Sequence, residues 1–202
     1  MLFAAFLAAG LLAIPSAVAA ADDWPTNAEE PDRAVFGFVG ALTSGDMAES
    51  ANPFGVGYED HPVFGLGYQL FPYSIGDVRL GFEAGVAGRF GGKPSAEFWG
   101  GAVARYDGFV IADRLRIAPA VTFGLSLVTR THEGREQQQE DASEDGDASF
   151  LFYLGPEIAV SPADNPNFEI FWRLHHRSGA GGALGNMEGA SNANVIGVRY
   201  KF

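Results

Sequence analysis

Beyond residue 32 the chain alternates apolar and polar positions with a period of two. It does so in eight stretches, near 33–43, 62–72, 77–90, 95–107, 114–129, 149–160, 167–178 and 191–202. Successive residues of an extended strand point to opposite sides, so this period predicts strands. No heptad or 3.6-residue pattern appears in the same region, which predicts an all-β chain. The two sides of each strand differ in kind. In the third stretch Val78, Leu80, Phe82, Ala84 and Val86 share one side, opposite Arg79, Gly81, Glu83, Gly85 and Arg89. In the fifth, Ile117, Val121, Phe123 and Leu125 oppose Arg116, Ala118, Ala120, Thr122 and Gly124.

A water-soluble sandwich would bury the bulky side and expose the polar one. Here the polar side is mostly small, with isolated charges, and that suits the crowded interior of a narrow barrel. Arg79, Glu83, Arg89, Glu97, Arg105 and Arg116 would meet Glu157, Glu169, Arg173 and Arg199 there as ion pairs. The bulky side then faces lipid. The predicted fold is an eight-stranded antiparallel transmembrane β-barrel of the bacterial outer membrane, closed so that every backbone group has a partner.

The connections agree with this. Those after strands one, five and seven are long, and those after strands two, four and six are short, as external loops and periplasmic turns are. Only "FGGKPS", after strand three, is short for an external loop. The last strand places Ile196, Val198, Tyr200 and the terminal Phe202 on one face. A final aromatic of this sort is expected to be read by the barrel assembly machinery. The competing soluble architecture is a lipocalin-like secreted barrel.

Composition narrows the picture. Residues 1–20, "MLFAAFLAAGLLAIPSAVAA", read as a secretory signal peptide, leaving 21–202 as the barrel domain. The 202 residues include no Cys, so pairing and packing alone must hold an exported domain together. With 13 Lys plus Arg against 25 Asp plus Glu, the net charge of −12 argues against nucleic acid as a partner. After the leader no apolar run reaches the ~20 residues of a spanning helix.

Candidate chemistry lies in "NFEIFWRLHHRSGAGG", residues 167–182. Phe168, Ile170, Trp172, Leu174, His176 and Ser178 share the lipid side of that strand, at its outer end. Residues i and i+2 lie about 6–7 Å apart along one face, within leaning distance for an imidazole and a hydroxyl. A nucleophile–base pair on the outside of a barrel makes sense only for a lipid substrate at headgroup level. His175 falls on the interior side with Arg173 and Arg177, as a network member. His61 and His132 are expected in external loops without a role. The run "EGREQQQEDASEDGD" (133–147) is expected to be a solvated loop, and the loop after strand one to fold over the substrate's sugar region. Trp172 is a candidate lipid contact, Trp99 lies on the opposite face, and Trp24 is a candidate interface anchor.

The segment "RLHHRSGAGG", followed by a short loop and a terminal strand, resembles the outer-membrane lipid A 3-O-deacylases of the PagL type, also called acyloxyacyl hydrolase-like. The resemblance is specific over the last part of the chain and architectural elsewhere. It implies an enzyme that removes an ester-linked acyl chain from lipid A of lipopolysaccharide at the external leaflet, without cofactor or metal. Ser178 would be the nucleophile and His176 the general base. Where the family has Asn-Ala after the serine, this chain has Gly179 and Ala180; backbone N–H groups of Gly179, Ala180 and Gly181 would then form the oxyanion hole. The family's Glu falls on Asn192 or Asn194, and Glu188 is the carboxylate of that loop, so the third member stays open among the three. A homodimer is compatible with this reading. The alternatives are a non-catalytic structural or adhesive barrel and a narrow channel, the latter disfavoured by a filled lumen.

Overall fold

The period-two segments pair antiparallel around a closed ring. The computed structural model describes residues 31–202; the expected signal peptide at 1–20 and Trp24 lie outside the described residues. In chain order the elements are β1 (Arg33–Thr43), α1 (Met47–Ser50), β2 (Tyr58–Ile75), β3 (Val78–Arg89), β4 (Ser95–Tyr106) and β5 (Phe109–Ile111). There follow β6 (Leu115–Val128), α2 (Arg135–Asp141), β7 (Phe150–Pro162), β8 (Phe168–Ser178) and β9 (Ser191–Lys201). Apart from β4 and β5, each strand pairs with its sequence neighbour; β1 also pairs with β9 and β4 with β6, which closes the sheet. The three residues of β5 continue β4 beyond Asp107 and Gly108 and pair with the same strand, β6. The barrel therefore has eight staves and no free edge.

One end carries short turns. Between β2 and β3 only Gly76 and Asp77 intervene, with Gly76 at φ +58°, the left-handed conformation a two-residue hairpin requires. The other end carries the connections 44–57, 90–94, 129–149 and 179–190. The predicted strand centres hold, and β2 differs most. It begins at Tyr58 and runs to Ile75, with a register shift between Leu70 and Tyr73, so His61 lies in a strand and not in a loop.

The faces fall as the alternation predicts. Leu66, Phe82 and Ile196 are 67%, 60% and 61% exposed on the outer wall. A monomer in water does not present an apolar belt around its whole circumference, whereas a barrel in lipid requires one. Inside, Arg173 bridges Glu83 (Nη1–Oε1, 2.7 Å) and Glu157 (Nη2–Oε2, 2.7 Å). Arg199 joins Glu157 (2.7 Å) to Glu169 (3.0 Å), and Glu169 also accepts from Arg105 Nη1 at 2.9 Å. Trp99 is interior as well, donating from Nε1 to Glu83 Oε1 at 2.9 Å. His175 Nε2 lies 2.9 Å from Glu97 Oε1, with Tyr153 against the same ring. Phe36, Phe38 and Phe171 pack among these ions, and the faces of Phe36 and Phe171 take the Arg173 and Arg199 guanidinium groups. Side chains fill the lumen.

Two short helices correct the expectation of a purely extended chain. The acidic run 133–147 is not a solvated block: α2 lies within it, and Glu136 is 1% exposed in the barrel mouth. Its carboxylate takes Arg89 (Nη2–Oε2, 2.9 Å), Arg177 and the backbone N–H of His132 (2.8 Å). A charge this deep is tolerable only when paired, and two Arg from β3 and β8 supply the pairing. α1 is fixed by a reciprocal cap: Asp46 accepts from Glu49 N–H (2.8 Å), and Glu49 accepts from Asp46 N–H (2.9 Å).

Candidate functional site

His176 and Ser178 stand on the outward side of β8, at the end where the long connections gather. Opposite His176, in register on β9, is Asn192. His176 Nδ1 lies 2.6 Å from Asn192 Oδ1. The amide orientation follows from its other half, because Asn192 Nδ2 donates to Gly45 O at 2.9 Å. With Oδ1 facing the ring, Nδ1 carries the proton and Nε2 keeps the free lone pair. The arrangement fixes an imidazole tautomer with its basic nitrogen turned away from β9.

The three candidates for the third position separate. Asn192 meets His176. Asn194, two residues further along β9, instead accepts from Trp172 Nε1 at 3.0 Å and donates to Ser50 O at 3.1 Å. Glu188 is exposed in the 179–190 connection, and the structure does not bring it to the ring, whose Nδ1 is already taken.

Ser178 Oγ accepts from Ala180 N–H at 3.0 Å, and no hydrogen bond to His176 is formed. Among the predicted oxyanion donors, Ala180 N–H thus already points at the serine oxygen. Gly181 N–H is directed to Glu188 O at 3.4 Å. Position 179 cannot hold a side-chain donor: a Cβ there would lie 2.0 Å from Met187 O and 2.4 Å from Leu184 O. Ala180, Gly181 and Gly182 all have positive φ, at 52°, 74° and 92°. The connection folds back on itself immediately after the serine, and that is why glycine follows it.

This part of the outer wall is not bare to lipid. Leu174 and Asn192 face outward by register yet are 1% and 2% exposed. The β1–β2 connection lies over β9 here, held by Asn192, Asn194 and the Thr43–Ser50 hydroxyl pair at 2.7 Å. The sequence signal for it was present in "DMAE", the Asp-x-x-Glu spacing of a helix cap. Lower on the same wall an apolar hollow of about 930 Å³ opens, lined by Gly37, Val39, Phe64, Leu66, Ile196 and Val198 among others. Arg135, the single Arg of the acidic run, also reaches this region, with Nη1 3.4 Å from Ser44 O.

Fold and wall define the class: an eight-stranded β-barrel of the outer-membrane type. Solved structures agree on the fold. The chain is similar to the outer membrane enzyme PagL, at 15% identity and a TM-score of 0.57, covering 84% of this chain and 99% of that one. It is similar to a de novo designed transmembrane β-barrel at 15% identity and a TM-score of 0.50, covering 86% and 98%. Neisserial surface protein A follows at 18% identity and a TM-score of 0.49, covering 84% and 96%. No family model matches the chain, and no curated protein matches its sequence.

Proposed function

We propose that the protein is a serine esterase of the outer membrane that removes an ester-linked acyl chain from lipid A of lipopolysaccharide. The observation that carries the reading is the His176–Asn192 contact on the lipid-facing wall beside Ser178. A tautomer-fixed base and a hydroxyl side by side on the outward face of one strand are the two groups an esterase needs.

In the proposed reaction Ser178 Oγ attacks the ester carbonyl while His176 Nε2 takes the hydroxyl proton. Ala180 N–H, within reach of Oγ, stabilises the developing oxyanion. The tetrahedral intermediate collapses, the sugar oxygen leaves with the proton from His176, and an acyl-serine remains. Water, deprotonated by His176, then attacks that ester; the fatty acid departs and Ser178 regains its proton. Asn192 holds the ring but brings no negative charge to stabilise imidazolium, which favours a slower enzyme than one with a carboxylate there. The external leaflet is the reading's natural location, because the long connections border the site.

Covalent trapping tests this. A serine-directed fluorophosphonate should label the wild-type barrel at Ser178 and leave Ser178→Ala and His176→Ala unlabelled. No labelling of folded wild-type protein would contradict it. The second reading, a non-catalytic structural or adhesive barrel, is favoured by one observation, the Ser178 hydroxyl resting on Ala180 N–H instead of His176. Labelling separates the two.

A further inference from the structure

We infer that Arg135 forms an anion subsite beside the serine–histidine pair and takes a phosphate group carried by the lipid's sugar. The inference rests on the esterase reading for the identity of the lipid, and on geometry for the subsite itself.

Arg135 opens α2, where its backbone N–H donates to Glu59 Oε1 at 2.7 Å. Its guanidinium lies between the two connections that flank the site. On one side Nη1 is 3.4 Å from Ser44 O, next to Gly45, whose carbonyl orients Asn192. On the other side Nη2 is 3.9 Å from where a Cβ on Gly189 would sit, in the connection that follows Ser178.

Two features coincide at this arginine: a buried, unbonded guanidinium nitrogen and the lack of an ion-pair partner. Nε is buried and makes no hydrogen bond, and the contact to Ser44 is long. No ion pair joins its guanidinium to a carboxylate among the described residues, in a chain of net charge −12. The carboxylates nearby are committed elsewhere. Glu136 serves Arg89 and Arg177, Glu59 serves the Arg135 amide and His61, and Glu133 serves Lys93. By contrast Arg105, Arg173, Arg177 and Arg199 in the lumen each meet a carboxylate.

Leaving the buried guanidinium Nε without a hydrogen bond is costly. A planar fork of N–H donors matches a phosphate by paired, charge-assisted hydrogen bonds. A phosphorylated sugar lipid seated with its phosphate on Arg135 would lie against the 44–57 and 179–190 connections, the second of which begins directly after Ser178. Arg135 is a positioning residue in this account: it holds the substrate and touches no reacting atom.

The test reads binding without turnover. Ser178→Ala protein in detergent micelles is titrated with a phosphorylated diacyl-glucosamine lipid and with its phosphate-free counterpart. The phosphorylated lipid should bind at least about tenfold more tightly, Arg135→Ala or Arg135→Gln should erase that preference, and Arg135→Lys should restore part of it. Equal affinity for the two lipids, or a preference that survives in folded Arg135→Ala and Arg135→Gln, would overturn the assignment. Displacement of the lipid by an equal concentration of inorganic phosphate would overturn it too, in favour of a free-phosphate site. Since no hydrolysis is required, an inactive wild-type enzyme would sink the esterase reading and leave this measurement standing.

Discussion

His176 and Asn192 face each other across the β8–β9 pair, ring nitrogen to amide oxygen at 2.6 Å, on the outer side of the barrel wall. The amide cannot be turned over, because its nitrogen is held by Gly45 O. Asn192→Ala should therefore free the imidazole and lower kcat about 10- to 100-fold with KM little changed. Asn194→Ala and Glu188→Ala should retain kcat within about threefold, since neither side chain touches the ring. Steady-state kinetics on a lipid ester distinguishes the three.

Glu136 closes the barrel mouth from above. Burial opposes its ionisation, but Arg177 and Arg89 outweigh burial and hold the carboxyl below the usual range. A depressed carboxyl contributes stability that is complete above its unfolded value of about 4.3 and is lost as pH falls through the lower folded value. Glu136→Gln leaves two guanidinium groups without their shared counter-ion and should cost about 3–5 kcal/mol. Thermal unfolding in micelles should show a lower midpoint, and protease should cut the 129–149 connection sooner.

His132 gives the same connection a second sensitivity to acid. It is fully buried, its ring packs edge-on against His61 with centroids 4.3 Å apart, and Nε2 has no partner. Burial pushes its imidazole below the ordinary value, helped by Arg89 and His61, while Glu133 O and Glu136 pull the other way. A base depressed in the folded state takes its proton only when released, so closure weakens as pH falls below about 6.5. Protection factors of the amides in residues 129–149, taken relative to intrinsic exchange at each pH, should fall from pH 7 to pH 5, and His132→Gln should flatten that dependence.

The hollow below the site offers room for an acyl chain. Gly37 faces it, and a Cβ there would meet Leu66 Cδ2 at 3.2 Å, the end of a flexible side chain, and Gly65 O at an ordinary contact distance of 3.7 Å. Gly37→Phe should fold and fill the hollow. Hydrolysis of long-chain esters should drop about tenfold relative to short-chain ones, since each buried methylene is worth about 0.8 kcal/mol. An unchanged ratio would place the acyl chain elsewhere.

Much of this molecule was legible because one period governs it. Alternation gave the staves, and the small, charged character of one face gave the lumen, down to Glu83, Arg173 and Arg199. The placement of His176 and Ser178 on the outer wall followed from the same parity. What the pattern could not carry were contacts between distant connections. Glu136 reads as one acid among seven until Arg89 and Arg177, from two other staves, are seen to converge on it. The choice of Asn192 over Asn194 depends on Gly45 O, supplied by a connection that no periodicity describes. Gly179 looks like a lost donor in sequence; in space it is the residue that lets the chain fold back under Met187 O.

The most direct measurement is the mass of lipid A after incubation with refolded protein. Wild type should shorten it by one acyl chain and release the matching free fatty acid, and Ser178→Ala, equally folded, should leave it intact. Unaltered lipid A in the presence of well-folded wild-type barrel would contradict the account.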